Sequence, residues 1–236
     1  NGTAAGAFAS TGLPGNTVGM HDGTISLTTV ATAAIHNFRG AITLGTGVSN
    51  FTGNNIVTVD ESAAVDLATF NVTYIRDNDP SNSSTTVAAF EKETNTAQDD
   101  AFTSSFTKLT SVTVTGKGGD TTATAAPALT TVNLTGLQAF DVSMSGNTAL
   151  TSYTDASSAN DFTFDNNDLM TALNASHTTA VYGTDKAATV SVSGNAEIAT
   201  LTIGFDDVDS FNVTSNAKLA TIAGGTNLKD NKKTET

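Results

Sequence analysis

The sequence predicts an all-β fold, a parallel β-solenoid of the β-helix or leucine-rich-repeat-like kind with coils of about 20 residues. Three observations predict it: a recurring Asn-centred segment, a composition of small strand-forming and turn-forming side chains, and the rarity of helical periodicity.

The recurring segment is the most specific. Met144 to Tyr153, Phe164 to Leu173, Val192 to Leu201 and Val213 to Ile222 all read apolar-x-x-Asn-x-x-apolar-x-small-apolar, with Asn147, Asn167, Asn195 and Asn216 at the same place. The Asn-to-Asn steps are 20, 28 and 21 residues, and the long one brackets Ser176 to Lys186, an insertion near 176–186 in one coil. Upstream, Leu109/Val112 and Leu129/Val132 repeat the apolar half without the Asn. Each pair leads into an alternating tail, Val112-Thr-Val114-Thr-Gly116 and Val132-Asn-Leu134-Thr-Gly136. Leu27/Val30, Val48/Phe51, Leu67/Phe70 and Val87/Phe90 extend the register in steps of 21, 19, 20 and 22. Six coils carry the strong pattern and ten the full series.

One such unit cannot bury its apolar side alone, so copies stack and align their Val, Leu, Ile and Phe into a continuous core. Equivalent asparagines then form a ladder at a corner, each amide bonding the backbone of the next turn. At a strand spacing of about 4.8 Å, ten coils span roughly 50 Å. A β-sandwich with strands every 8–12 residues or so would imitate a 20-residue step, but four Asn-centred copies in one register favour the solenoid. Helical periodicity is confined to Asp165 to Asn174, read as one helical turn.

Composition agrees. The 236 residues are 38% hydrophobic and 14% charged, without Trp or Cys. Thr and Val favour strands, while Gly, Asn and Asp favour turns. Small side chains fill a thin core between two backbone layers rather than a deep one. Ten Lys plus Arg against 23 Asp plus Glu give a net charge of −13, which repels phosphate backbones and anionic lipid and attracts divalent cations. Neither a nucleic-acid partner nor a membrane span is expected, since no 18-residue apolar run exists. Without cysteine there is no disulfide framework and no thiolate metal site. The expected organisation is an N-terminal linker or cap over 1–23, a solenoid over 24–228 and a polar tail over 229–236, in a mature or excised piece of a precursor.

No catalytic motif is present. His21, His36 and His177 stand in no metal-like or catalytic spacing, and there is no nucleophile elbow, phosphate loop or dinucleotide fingerprint. A sugar-cleaving site would need converging carboxylates with basic and aromatic support. Arg39 and Arg76 are the only arginines, and three Tyr without Trp provide little for sugar to stack on. Short carboxylates set among Asn, Ser and turn carbonyls suit a hard cation that takes six to eight oxygens or so. The expected Ca²⁺ ligands are Asp77 and Asp79, Asp161 and Asp165, and Asp206, Asp207 and Asp209, with Asp99-Asp100 and Asp168 as further acidic positions. Asp and Asn also make ordinary turns and solvated corners, the competing reading for each cluster. Gly118-Gly119-Asp120 is a lone fragment of a calcium-repeat pattern, and the Asn-x-Ser/Thr triplets are no more than this composition yields.

The Thr-rich register typified by Leu129-Thr-Thr-Val132-Asn-Leu134-Thr-Gly136, with no Cys, little Lys and acidic turns, resembles bacterial S-layer proteins. It looks most like the large calcium-dependent arrays of Gram-negative bacteria, marine ones included. The rhythm from Met144 to Ile222 also resembles leucine-rich or receptor-L-type repeats, although Thr replaces much of the Leu-x-x-Leu-x-Leu signature. The resemblance implies a non-enzymatic, extracellular, cell-surface scaffold that self-associates into a lattice or filament. Its partners would be adjoining domains of the same protein, with Ca²⁺ holding the contacts. Two alternatives stand beside it. A solenoid adhesin would bind cell-surface glycan around Tyr74 and Arg76 or in the 176–186 insertion, and a polysaccharide-degrading β-helix would need a carboxylate and a base meeting on one face.

Overall fold

A computed structural model describes residues 24–36, 38, 40–74, 99–116, 120–175, 188–204 and 208–224, with the backbone alone at 136–140, 156–160, 188, 208–209 and 224. Sixteen strands run through these residues, every pairing between them is parallel, and there is no helix among them. The fold is a parallel β-solenoid.

The strands lie on two faces. On the first face, β2 (Thr32–His36), β4 (Asn50–Ile56), β6 (Thr69–Tyr74), β8 (Ser111–Thr115), the start of β10 (Thr131–Ser145), the start of β11 (Ser152–Asp165), β12 (Ala172–Ala175), β14 (Thr200–Ile203) and β16 (Thr221–Gly224) form one unbroken ladder. The second face is in two parts. β1 (Thr24–Leu27), β3 (Ala41–Leu44) and β5 (Thr58–Asp60) form a separate three-stranded sheet. β7 (Asp100–Phe102), β9 (Thr121–Thr124), the ends of β10 and β11, β13 (Ala188–Ser193) and β15 (Val208–Thr214) form the other. The long strands β10 and β11 pass from one face to the other through register shifts between Thr135 and Val142.

Alternation with period two sends one side chain inward and the next outward. On the first face Phe51, Phe70, Val112, Val132 and Tyr153 pair in succession, and all are buried. On the second, Val142, Phe162, Val190 and Phe211 do the same, with Phe211 only half-buried. Phe51, Phe70, Phe102 and Phe106 follow one another through the core, with ring centroids 6.1, 5.3 and 5.5 Å apart. The outward positions of the first face carry Thr, Ser, Asn, Ala and His36 but no formal charge, for example Thr69-x-Asn71-x-Thr73 and Thr131-x-Asn133-x-Thr135.

Two details of the expected register are corrected. In the first coil the inward residue is Ala33, which pairs with Phe51, so Val30/Ala33 rather than Leu27/Val30 matches Val48/Phe51. Two apolar residues three apart occur both before and after a corner, and the earlier pair misled. β6 also pairs directly with β8, Phe70 opposite Val112. On the first face no described strand therefore stands between those that follow Leu67 and Leu109, and the described ladder has nine strands where ten coils were expected. Val87/Phe90 lies outside the described residues. The expected helical turn is a single tight turn in which Met170 N–H donates to Asn167 C=O at 3.3 Å, and β12 follows at once.

Before the last five described corners the chain enters the left-handed region at Ala125, Gly146, Asn166, Gly194 and Ser215, with φ between 52° and 68°. The reversal aims each N–H at the next coil: Ala125 to Ser145 C=O, Gly146 to Asp165 C=O, Asn166 to Ser193 C=O and Gly194 to Thr214 C=O. Two glycines separate backbone freedom from space. A Cβ on Gly146 (φ 68°) would meet nothing nearer than 3.8 Å, whereas on Gly116 (φ 92°) it would stand 2.5 Å from the backbone oxygen of Tyr74. Gly146→Ala is expected to cost about 1 kcal/mol, the left-handed penalty alone, and Gly116→Ala about 2 kcal/mol. Equal shifts in urea midpoint for the two variants would contradict this ordering.

Candidate functional site

Three polar constructions stand out: an asparagine ladder, an aspartate ladder and a buried carboxyl cluster.

Asn147, Asn167, Asn195 and Asn216 stack at one corner, where a turn ends three residues later on Leu150, Met170, Ile198 and Leu219. Each Oδ1 accepts the backbone N–H of the corner before it: Ala126 to Asn147 at 3.1 Å, Asn147 to Asn167 at 3.1 Å, Asn167 to Asn195 at 2.8 Å and Asn195 to Asn216 at 3.0 Å. Each Nδ2 reaches a strand carbonyl: Ala123, Met144, Phe164 and Val192, at 2.8 to 2.9 Å. An amide supplies both an acceptor and donors, so one side chain satisfies two backbone groups of the preceding coil. Ala126, Phe106 and Ala64 hold the equivalent corner earlier in the chain, in turns closed by N–H of Leu129, Leu109 and Leu67.

The second ladder was not recognised in the sequence. Asp99, Asp120, Asp141 and Asp161 stand 21, 21 and 20 residues apart at the entry to the second-face strands. Asp99 Oδ1 accepts Asp120 N–H at 3.1 Å, Asp120 Oδ1 accepts Asp141 N–H at 3.0 Å, Asp141 Oδ1 accepts Asp161 N–H at 3.2 Å, and Asp161 Oδ1 accepts Thr189 N–H at 2.8 Å. Like charges one strand apart oppose ionisation. Asp141 is raised above the usual carboxylate value, chiefly by desolvation and further by the charges of Asp120 and Asp161, against the bond from Asp161 N–H. The only signal was a spacing of 20 to 21 with no shared flanking residues.

The third construction joins distant segments. Tyr74, at the end of β6, donates its hydroxyl to Asp100 Oδ1 at 2.7 Å. Glu61, just after β5, accepts Ala101 N–H on Oε1 at 3.2 Å. Glu61 is 5% exposed and Asp100 and Tyr74 are 1% exposed. Burial raises Glu61 from 4.5 to about 7, the Ala101 bond and its own backbone bond oppose the rise, and Asp60 adds to it. Tyr74 is pushed well above 10, by burial first and then by Asp100 and Glu61. A second buried pair, Tyr153 hydroxyl to Asp155 Oδ2 at 2.7 Å, places a carboxylate in an otherwise apolar inward column between Leu134 and Ala175.

Of the expected Ca²⁺ ligands, Asp161 belongs to the aspartate ladder. Asp165 lies at the other end of the same stretch of β11 and is raised mainly by desolvation. The two are not brought together. Asp77, Asp79, Asp206 and Asp207 lie outside the described residues, as does the side chain of Asp209. Among the described residues no group of three or more His, Asp or Glu is placed to hold a metal ion, and the aspartate ladder, with each Oδ1 on a backbone N–H, is not a closed cage. Tyr74 is buried and cannot form the exposed glycan strip considered above. Arg76, His21, His177 and the 176–186 insertion are outside the described residues, and His36 ends β2. No described helix is long and apolar enough to cross a membrane. Compared with known proteins, the chain matches no family model, no curated protein and no solved structure.

Proposed function

We propose that this chain is a structural, non-catalytic part of an extracellular surface layer of the S-layer kind, whose copies self-associate with the help of Ca²⁺. The observation that supports it best is the apolar surface on the last described coil. Val190, Val192, Ile198 and Leu201 are 0% exposed, while Phe211, Val213 and Leu219, one coil later, are only partly buried and Ile222 is 51% exposed. Among the described residues β15 and β16 each pair on one side only, and strand edges of that type recruit further strands. Aspartate ladders on neighbouring copies would repel each other without an intervening divalent cation, which is where Ca²⁺ enters this reading.

Electron microscopy of the purified chain, with roughly millimolar CaCl₂ or with EGTA, tests it. Ordered sheets or filaments that disperse on chelation, and that Ile222→Asp prevents, are the expected result. Monodisperse particles in both conditions would overturn the reading.

A further inference from the structure

The two faces of the solenoid differ in charge. Outward positions of the second face carry Asp60, Asp141, Asp161 and Asp165. Among the described residues, outward positions of the first face carry no carboxylate, lysine or arginine from β2 to β16. His36, at the β2 end, is the one titratable group there. At the corner leading into this face, Lys108 pairs with Asp66 at 2.6 Å and Lys218 with Glu197 at 2.5 Å. Each pair joins successive coils, so these charges cancel where they stand.

The first face is also regular. β6, β8 and the start of β10 pair without a register shift, and β11 continues in step through Thr154. Asn71, Thr113, Asn133 and Thr154 therefore form one row, and none of them is buried. Small side chains of similar height let a second sheet approach to about 10 Å. Nine strands of about five residues, spaced by about 4.8 Å, cover roughly 700 Å². Two such faces in contact bury about 1,400 Å², within the range of about 1,200–2,000 Å² for a stable interface.

A two-fold contact brings a surface against itself. A carboxylate accepts only and an ammonium donates only, so each meets its own copy as a like charge. Thr, Ser and Asn both donate and accept, so they can bond their own counterparts. Copies of net charge −13 repel each other, and contact through the neutral face turns the acidic second faces away from one another.

We propose that the first face is where two copies of this chain pack, sheet against sheet, across a two-fold axis. The inference rests on the self-association proposed above and names a calcium-independent contact within it.

Sedimentation of the full chain in EGTA, which removes contacts held by Ca²⁺, tests it. The expected species is a dimer of twice the chain mass. Asn71→Lys with Thr154→Lys is expected to raise the dissociation constant about a hundredfold or more, because like charges then meet across the contact. These lysines lower the net negative charge, so the loss is not due to stronger overall repulsion. Thr122→Lys with Thr189→Lys makes the same change on the second face and is expected to leave the dimer intact. A monomeric wild type would overturn the proposal, whether or not the variants fold, and would leave the face to a different occupant. So would a dimer that survives the first-face lysines, or one lost equally with the second-face lysines. Calcium-held sheets of a chain that is monomeric in EGTA would remove this contact and keep the surface-layer reading. Dimers that form no sheets with CaCl₂ would do the reverse.

Discussion

Replacing Asn167 with alanine is expected to lower the unfolding free energy by about 3 kcal/mol, far more than the removal of one neutral hydrogen bond. Asn167 is wholly buried, and its Oδ1 receives both N–H and Nδ2 of Asn147, at 3.1 and 3.2 Å. Its Nδ2 donates to Met144 C=O at 2.9 Å and to Asp165 C=O at 3.1 Å. Alanine leaves Asn147 N–H and Met144 C=O facing a dry corner, and an abandoned buried backbone group costs about 1–3 kcal/mol. The same change at Asn216, which is only partly buried, is expected to cost about 1 kcal/mol because water replaces the amide. Urea unfolding of both variants measures the difference. Equal losses would mean that the corner is not dry and that the ladder adds little beyond shape.

Glu61 makes stability depend on pH in the sense opposite to a salt-bridged carboxylate. Its folded value of about 7 lies above the ordinary 4.5, so between these limits the folded chain holds a proton that the unfolded chain has released. Stability linked to this group is therefore full below the ordinary value and is lost as pH rises through the folded one. At about 1.4 kcal/mol per pH step, the loss amounts to about 3 kcal/mol across the window. Asp141 and Asp165 are also raised and act in the same direction, so the diagnostic quantity is the difference between wild type and Glu61→Gln. The variant is expected to match the wild type near pH 5 and to exceed it near pH 8 by about 3 kcal/mol. Unfolding curves at the two pH values decide it. A constant difference would place Glu61 in contact with water in the folded chain.

The solenoid was legible because one residue type with a particular task recurs at nearly constant steps. Asparagine puts an acceptor oxygen and a donor nitrogen on separate atoms of one short side chain, so Asn147, Asn167, Asn195 and Asn216 announce themselves. Apolar pairs are weaker markers. Leu27 and Val30 sit astride a corner, so a spacing of three did not distinguish Leu27-Val30 from Val30-Ala33. The aspartate ladder was obscured because its members follow Gln98, Gly119, Phe140 and Asn160, and one of them follows a Gly-Gly pair that suggested something else. The cluster of Glu61, Tyr74 and Asp100 could not be seen at all. Its carboxyls are 39 residues apart, and only the direct pairing of β6 with β8 brings them to one level.

The asparagine corners also have a direction. Every Oδ1 reaches back, so the backbone N–H of one corner waits for an amide that arrives 20 to 28 residues later in the chain. A chain delivered N-terminus first therefore cannot finish a coil when that coil emerges. Completion trails delivery by one full turn, like a zipper that closes each tooth only as the next one passes. Cutting coils from the C-terminal side strips amides from donors already in place, while cutting from the N-terminal side merely leaves amides with fewer guests. Shortening the molecule by one coil should therefore harm it unequally at its two ends.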